Sequence, residues 1–284
     1  MTRSEPVSGS PADSRPDPQY AFVGGLYVAA LLTPAVILVA AIAVRDTAVL
    51  YVGFLAVWAG ITTLAGWGIA RTRGLAVRIG RRDASWLLVG VPFAAYAGAF
   101  AALAFGEWVP RIVVPLGMVT MITGVLFGLP FVVMSRTRHA NAVTADAAEL
   151  AEWEARWPRR WRRFAVGAML LGLAGALVAI VAQVVFRADW VDGGYLVAFL
   201  WTPLASAATP RTFRVTDAGV VVERPLHRRL LPWDAFAGYS MTEGALVLVP
   251  AAWWRPKLRS DRDDVADLDA VVSALDAKLG GDPS

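Results

Sequence analysis

The chain has 284 residues, 57% of them hydrophobic and only 18% charged, against about a quarter charged in an ordinary soluble domain. It contains no cysteine and two histidines, His139 and His227, which excludes disulfides, thiol nucleophiles, iron–sulfur clusters, the common structural zinc sites and any histidine-rich metal centre. The net charge of +4 is modest, and its distribution along the chain says more than its sum.

Residues 1–18 are rich in Ser, Pro, Asp and Arg and have almost nothing to bury, so they read as a disordered tail. A polar tail followed by a full-length apolar run is not the pattern of a cleaved signal peptide. Crossing the hydrocarbon core takes roughly 20 apolar residues. Five runs reach that length, at about 20–44, 48–70, 86–106, 112–134 and 164–186. A sixth, about 194–208, is short and holds Pro203.

Loop charges set the orientation. The 71–85 loop carries Arg71, Arg73, Arg78, Arg81 and Arg82; the 135–163 loop carries Arg136, Arg138, Arg156, Arg159, Arg160, Arg162 and Arg163; ten Lys or Arg follow residue 209. The intervening loops hold one basic residue each, Arg45, Arg111 and Arg187. Rich and poor loops alternate, which predicts six crossings of the cell membrane with both termini in the cytoplasm. Tyr20, Trp67, Trp86 and Trp161 fall near inner ends, and Trp108 and Trp190 near outer ends, as interface-seeking aromatics should. Trp58 and Trp201 fall deeper and read as packing residues.

Small residues recur every fourth position: Gly25, Ala29 and Thr33 in the first span, Gly90, Ala94, Gly98, Ala102 and Gly106 in the third, Thr120, Gly124 and Gly128 in the fourth, Ala168, Gly172 and Ala176 in the fifth. Such stripes let helix backbones approach inside lipid. They predict one compact bundle, with a homo-oligomer as the alternative. The central segments contain no Asp, Glu, Lys, Arg or His, the residues ion- and proton-coupled carriers place near the midplane.

Residues 144–157 are expected to form a helix, from the capping Thr144, the acidic first turn at Asp146 and the Ala, Glu and Leu content. Trp153 and Trp157 would share a face, and the basic run of Arg156, Arg159, Arg160, Arg162 and Arg163 would serve as headgroup contacts or as an ordinary positive-inside flank.

From about 211 the pattern changes to short strands at Thr212–Thr216, Val220–Glu223, Arg229–Trp233, Phe236–Met241 and Ala245–Val249, with turns between them. A closing helix is expected from Asp263 to Leu279, with Val265, Leu268, Val272, Leu275 and Leu279 at steps of three and four. The predicted fold class is thus a polytopic helical membrane protein with a small α+β cytosolic domain. The tail covers 1–18, the membrane bundle 19–208 and the cytosolic domain 209–281.

The run from Phe213-Arg-Val-Thr-Asp-Ala-Gly-Val, through Leu231-Pro-Trp-Asp-Ala-Phe, to Gly244-Ala-Leu-Val-Leu-Val and the closing helix resembles the small pleckstrin-homology-like domains of prokaryotic membrane proteins, most closely the YcxB-like type that follows a transmembrane hairpin. The resemblance covers the fifth and sixth spans and the domain after them. It implies no enzyme activity and transfers no binding residues. Residues 1–163 resemble no family.

Trp233 is expected in the core of that domain. The pair Trp253 and Trp254 with Arg255 and Lys257, and the turn of His227, Arg228 and Arg229, are candidate contacts for anionic headgroups or a protein partner. No catalytic, cofactor or metal site is expected; His139, Asp146 and Glu149 fit no ligand spacing. Acidic residues balance the basic ones in the domain, which argues against nucleic acid. The leading function is therefore non-enzymatic: a cytosolic module that touches a protein, the bundle or inner-leaflet lipid. A small-molecule transporter or channel is the first alternative and a membrane-embedded lipid-modifying enzyme the second.

Overall fold

The computed structural model describes residues 18–105, 113–186, 209–225 and 227–280. The N-terminal tail, the sixth expected span at 194–208, Trp108, Trp190, Trp201 and Pro203 lie outside the described residues. The chain divides into two compact units, one of residues 1–145 with His227–Arg229, the other of 146–226 with 230–284.

The first unit is built from α1 (Pro18–Ala43), α2 (Thr47–Arg71), the short α3 (Leu75–Arg81), α4 (Leu87–Phe105) and α5 (Val113–Thr144). Among the described residues of the whole chain, four segments are long and apolar enough to cross a membrane: Pro18–Ala43, Thr47–Arg71, Leu116–Thr144 and Arg159–Ala179. Helix α4 adds 19 residues without a charge, about 28 Å of rise. Asp46 caps α2, its carboxylate accepting from the Ala48 and Val49 amides at 2.8 and 3.3 Å, so the chain reverses between α1 and α2 over three residues.

Burial on α2 is inverted relative to a helix of a water-soluble protein. Helix α2 buries only Thr62 and Gly66, while Leu64 is 70% exposed. Helices α1 and α2 meet through small residues: a Cβ on Gly25 would collide with the Thr62 carbonyl, and one on Gly66 would lie 3.2 Å from the Ala21 carbonyl. Gly124 of α5 faces Pro92 of α4, and Gly128 faces the Tyr27 ring. The stripes on α1 and α5 are therefore packing faces. Within the described part of the α4 stripe, Gly90 and Gly98 have open space where a side chain would project, so they do not meet another described helix of this chain.

Tyr20, near the start of α1, packs inside the unit. It is fully buried, stacked on Phe131 at 4.9 Å, with its hydroxyl 2.8 Å from Ser135 Oγ and the Arg138 guanidinium over its ring. The 71–85 segment is more than a loop. Helix α3 packs on α5, where Gly80 leaves room for the Ser135 carbonyl. Arg136 is buried, donating to Ser85 Oγ at 3.1 Å and stacking on Trp86.

The second unit holds β1 (Glu149–Ala155), α6 (Arg159–Phe186), β2 (Arg211–Thr216), β3 (Gly219–Arg224), β4 (His227–Leu231), β5 (Phe236–Thr242), β6 (Ala245–Pro250), β7 (Leu258–Asp261) and α7 (Leu268–Leu279). One sheet has the order β1-β2-β3-β4, the other β5-β6-β7. The expected helix over 144–157 is corrected here. Helix α5 runs on to Thr144, and Glu149–Ala155 is a strand that pairs antiparallel with β2, from Glu149 opposite Thr216 to Ala155 opposite Arg211. The reason is burial on one face of the pleat: Trp153 and Ala155 point into the core while Glu152 and Glu154 point out. Trp153 stacks on Phe213 at 5.2 Å and 9°. On the outer face Arg214 pairs with Glu149, Glu152 and Glu223 at 3.7, 3.3 and 3.6 Å, so these glutamates serve strand pairing rather than a helix surface.

The sheet domain thus draws its first strand from before α6, and a boundary at 209 misses it. The core joins Trp153, Phe213, Val220, Leu246 and Leu248 to Leu275 of the covering helix. The sheets meet at one corner, where the Asp261 amide donates to the Arg156 carbonyl at 2.9 Å. Gly219, at φ 144°, turns β2 into β3 with the Thr216 hydroxyl donating to its carbonyl. The closing helix is shorter than expected. Arg262–Asp264 form a separate turn, and α7 begins after Asp267, whose carboxylate accepts from the Ala270 amide at 2.9 Å. Gly280 ends it in the left-handed region.

Candidate functional site: the basic cleft beside α6

The register fixes which end of the sheet domain lies beside α6. Ala155 ends β1, Arg211 opens β2 opposite it, and Asp261 ends β7 against Arg156. Thr212 faces Glu223, so Arg211 and Arg224 end their strands side by side. Burial, with Arg224 adjacent, pushes the Arg211 guanidinium down to about 10, and burial lowers Arg224 as well. Arg211 lies over the Trp157 ring at 5.1 Å, and Arg259 over Trp161 at 5.5 Å. The two tryptophans where the chain leaves the sheet for α6 are thus each covered by a cation.

Here the residues form a cleft of about 650 Å³, lined by Arg156, Arg162, Arg163, Val166, Gly167, Leu170 and Pro210. Arg162, Val166 and Leu170 recur at steps of four and share one face of α6, with Arg163 and Gly167 beside them. The mouth is cationic and the floor apolar. A Cβ on Gly167 would meet nothing within 4 Å, so the floor stays open because this position has no side chain. A smaller cavity of about 220 Å³ adjoins it, sharing Arg156 and Pro210 and lined also by Glu154, Ala155 and Asp264. Asp264 there accepts from the Arg156 amide at 2.9 Å.

The sequence-predicted contact residues separate in space. Arg162 and Arg163 line the cleft; Arg159 and Arg160 are exposed one turn earlier and do not. Trp253 and Trp254 are 90% and 69% exposed and meet edge to face at 6.0 Å. They sit with Arg255 and Lys257 between β6 and β7, at the end of β7 away from Asp261 and hence away from α6. His227, Arg228 and Arg229 open β4 and group with the first unit. The Arg228 amide donates to Thr137 Oγ1 at 3.2 Å and its guanidinium to Asn141 Oδ1 at 3.3 Å, contacts made within the first unit. Trp233 is partly buried against the core, its indole N–H donating to the Thr216 and Asp217 carbonyls.

Sequence reading placed Arg156 in the basic run but missed Gly167. The available signal was a glycine four residues after an arginine at the start of an apolar run. Among the described residues no three His, Asp or Glu side chains gather as metal ligands. Comparison of the chain with protein-family models, curated proteins and solved structures found no match.

Proposed function

We propose that this chain is a multi-pass protein of the cell membrane, crossing six times with both ends in the cytoplasm, whose non-enzymatic sheet domain is held against the inner leaflet as a contact module. The observation that carries this reading is the pairing of Ala155 with Arg211 across residues 156–210. Helix α6 leaves the domain at one strand, and the chain is back in register at the neighbouring strand. If α6 crosses the bilayer, the chain crosses again before Arg211, which supports the short sixth span. The same pairing tethers the domain at both of its strands, so it rides on the membrane surface rather than on a flexible linker.

The domain is pleckstrin-homology-like on this reading. A four-stranded and a three-stranded antiparallel sheet closed by a C-terminal helix support it, with the membrane hairpin inserted after the first strand. The outward display of large apolar side chains on α1, α2 and α6, including Ile42, Leu64 and Leu171, supports lipid as their solvent.

The absence of cysteine makes a direct test simple. Thr47→Cys, Ala84→Cys and Ser273→Cys occupy the α1–α2 turn, the basic segment before α4 and an exposed face of α7. A membrane-impermeant maleimide applied to intact cells should label Thr47→Cys alone, with the other two reacting only after lysis. Labelling of Ser273→Cys from outside overturns the topology.

A further inference from the structure

We propose that the cleft beside α6 is a binding site for one anionic glycerophospholipid of the inner leaflet, its phosphate held by Arg156, Arg162 and Arg163 and one acyl chain lying along Val166, Gly167 and Leu170. The inference deepens the membrane-surface reading above and rests on it.

The two halves of the cleft ask for one molecule with two chemistries. Three arginines at the mouth match a phosphate, which guanidinium groups bind through paired N–H donors. The floor from Val166 to Leu170 offers no polar side chain, so a free inorganic anion would use only half the site. From Arg162 to Leu170 the axial rise is about 12 Å, which carries a ligand from headgroup depth into the acyl region. The cleft volume lies within the roughly 300–1,000 Å³ usual for small-molecule sites. Among the described residues its lining contains no carboxylate; Glu154 and Asp264 belong to the adjoining cavity, and Asp264 is engaged by the Arg156 amide.

Gly167 distinguishes a built slot from a generic basic belt. A larger residue there fits the helix without striking a neighbour, yet it would occupy the space assigned to the acyl chain. Arg159 and Arg160 provide the control, since they carry the same charge on the same helix one turn earlier and outside the cleft.

The experiment uses the full-length protein in detergent, with native mass spectrometry counting bound lipid after addition of phosphatidylglycerol or phosphatidylcholine. Phosphatidylglycerol should be retained in preference to phosphatidylcholine and should resist competition by inorganic phosphate. R162Q/R163Q should weaken its retention by roughly ten- to thirtyfold, the scale of two headgroup-proximal arginines, and R159Q/R160Q by less than about threefold. G167L should weaken retention several-fold with every charge intact. Equal loss in the two double variants overturns the proposal in favour of a diffuse basic surface, and displacement by inorganic phosphate in favour of a free-anion site. Unchanged retention in G167L removes the acyl slot. A general loss of insertion or folding from the charge change strikes both double variants alike, so it cannot imitate the expected difference. The labelling pattern of Ser273→Cys reads the underlying topology separately: if it holds while lipid retention fails, only the cleft proposal falls.

Discussion

The α1–α2 contact of the first unit and the sheet core of the second bury opposite kinds of residue. At the helix contact Thr62, Gly66 and Gly25 lie inside, and Leu64 is 70% exposed. In the sheet core Trp153, Phe213 and Leu275 lie inside, with Leu246 only 1% exposed. Helices surrounded by lipid, as proposed above, gain little by hiding a leucine, so small residues that bring backbones together would form their contact faces. A domain surrounded by water instead defines its interior by large apolar side chains.

That contrast yields an ordered set of tests. The largest effect is expected at Phe213, where alanine removes the partner of Trp153 and leaves a cavity; the sheet domain should lose about 3–5 kcal/mol in chemical denaturation of the purified protein. Leu64→Asp should cost insertion about 3 kcal/mol in a glycosylation-mapping assay, while Leu64→Ala should leave the folded bundle intact. A Leu64→Asp variant that inserts and folds normally would mean that face does not meet lipid. Gly25→Ala should separate α1 from α2 at a cost of about 1–3 kcal/mol. Gly90→Ala, on the open α4 stripe, should not destabilise; comparing their thermal midpoints sharpens which stripes are contacts. Smallest is Asp267→Ala, which removes the α7 cap and should lower stability by about 1 kcal/mol.

The parts of the fold visible in the sequence are those whose cause is local. Helices α1, α2 and α4 begin and end within a few residues of the oily runs, because an uninterrupted apolar length is itself a local signal. Strands β2, β3, β5 and β6 were legible from alternation and from the turns at Gly219 and Gly244. Strand β1 was not. Glu149–Ala155 favours helix by composition, and its partner β2 lies beyond residues 156–210, so pairing at long range overrides propensity. The alternation of Trp153 and Ala155 with Glu152 and Glu154 was present but outweighed. The cleft escaped for the same reason: Arg156 is the exit from β1, and without that strand it is one more flanking arginine.

The position of β1 also fixes an order of events during synthesis. Its partner strand is made only after residues 156–210, so Trp153 waits without its stacking neighbour until Phe213 has been synthesised. The sheet therefore cannot close before the intervening segment is complete. Once Phe213 arrives and the strands zip, the sheet works as a clasp that holds the two ends of that segment together through backbone hydrogen bonds.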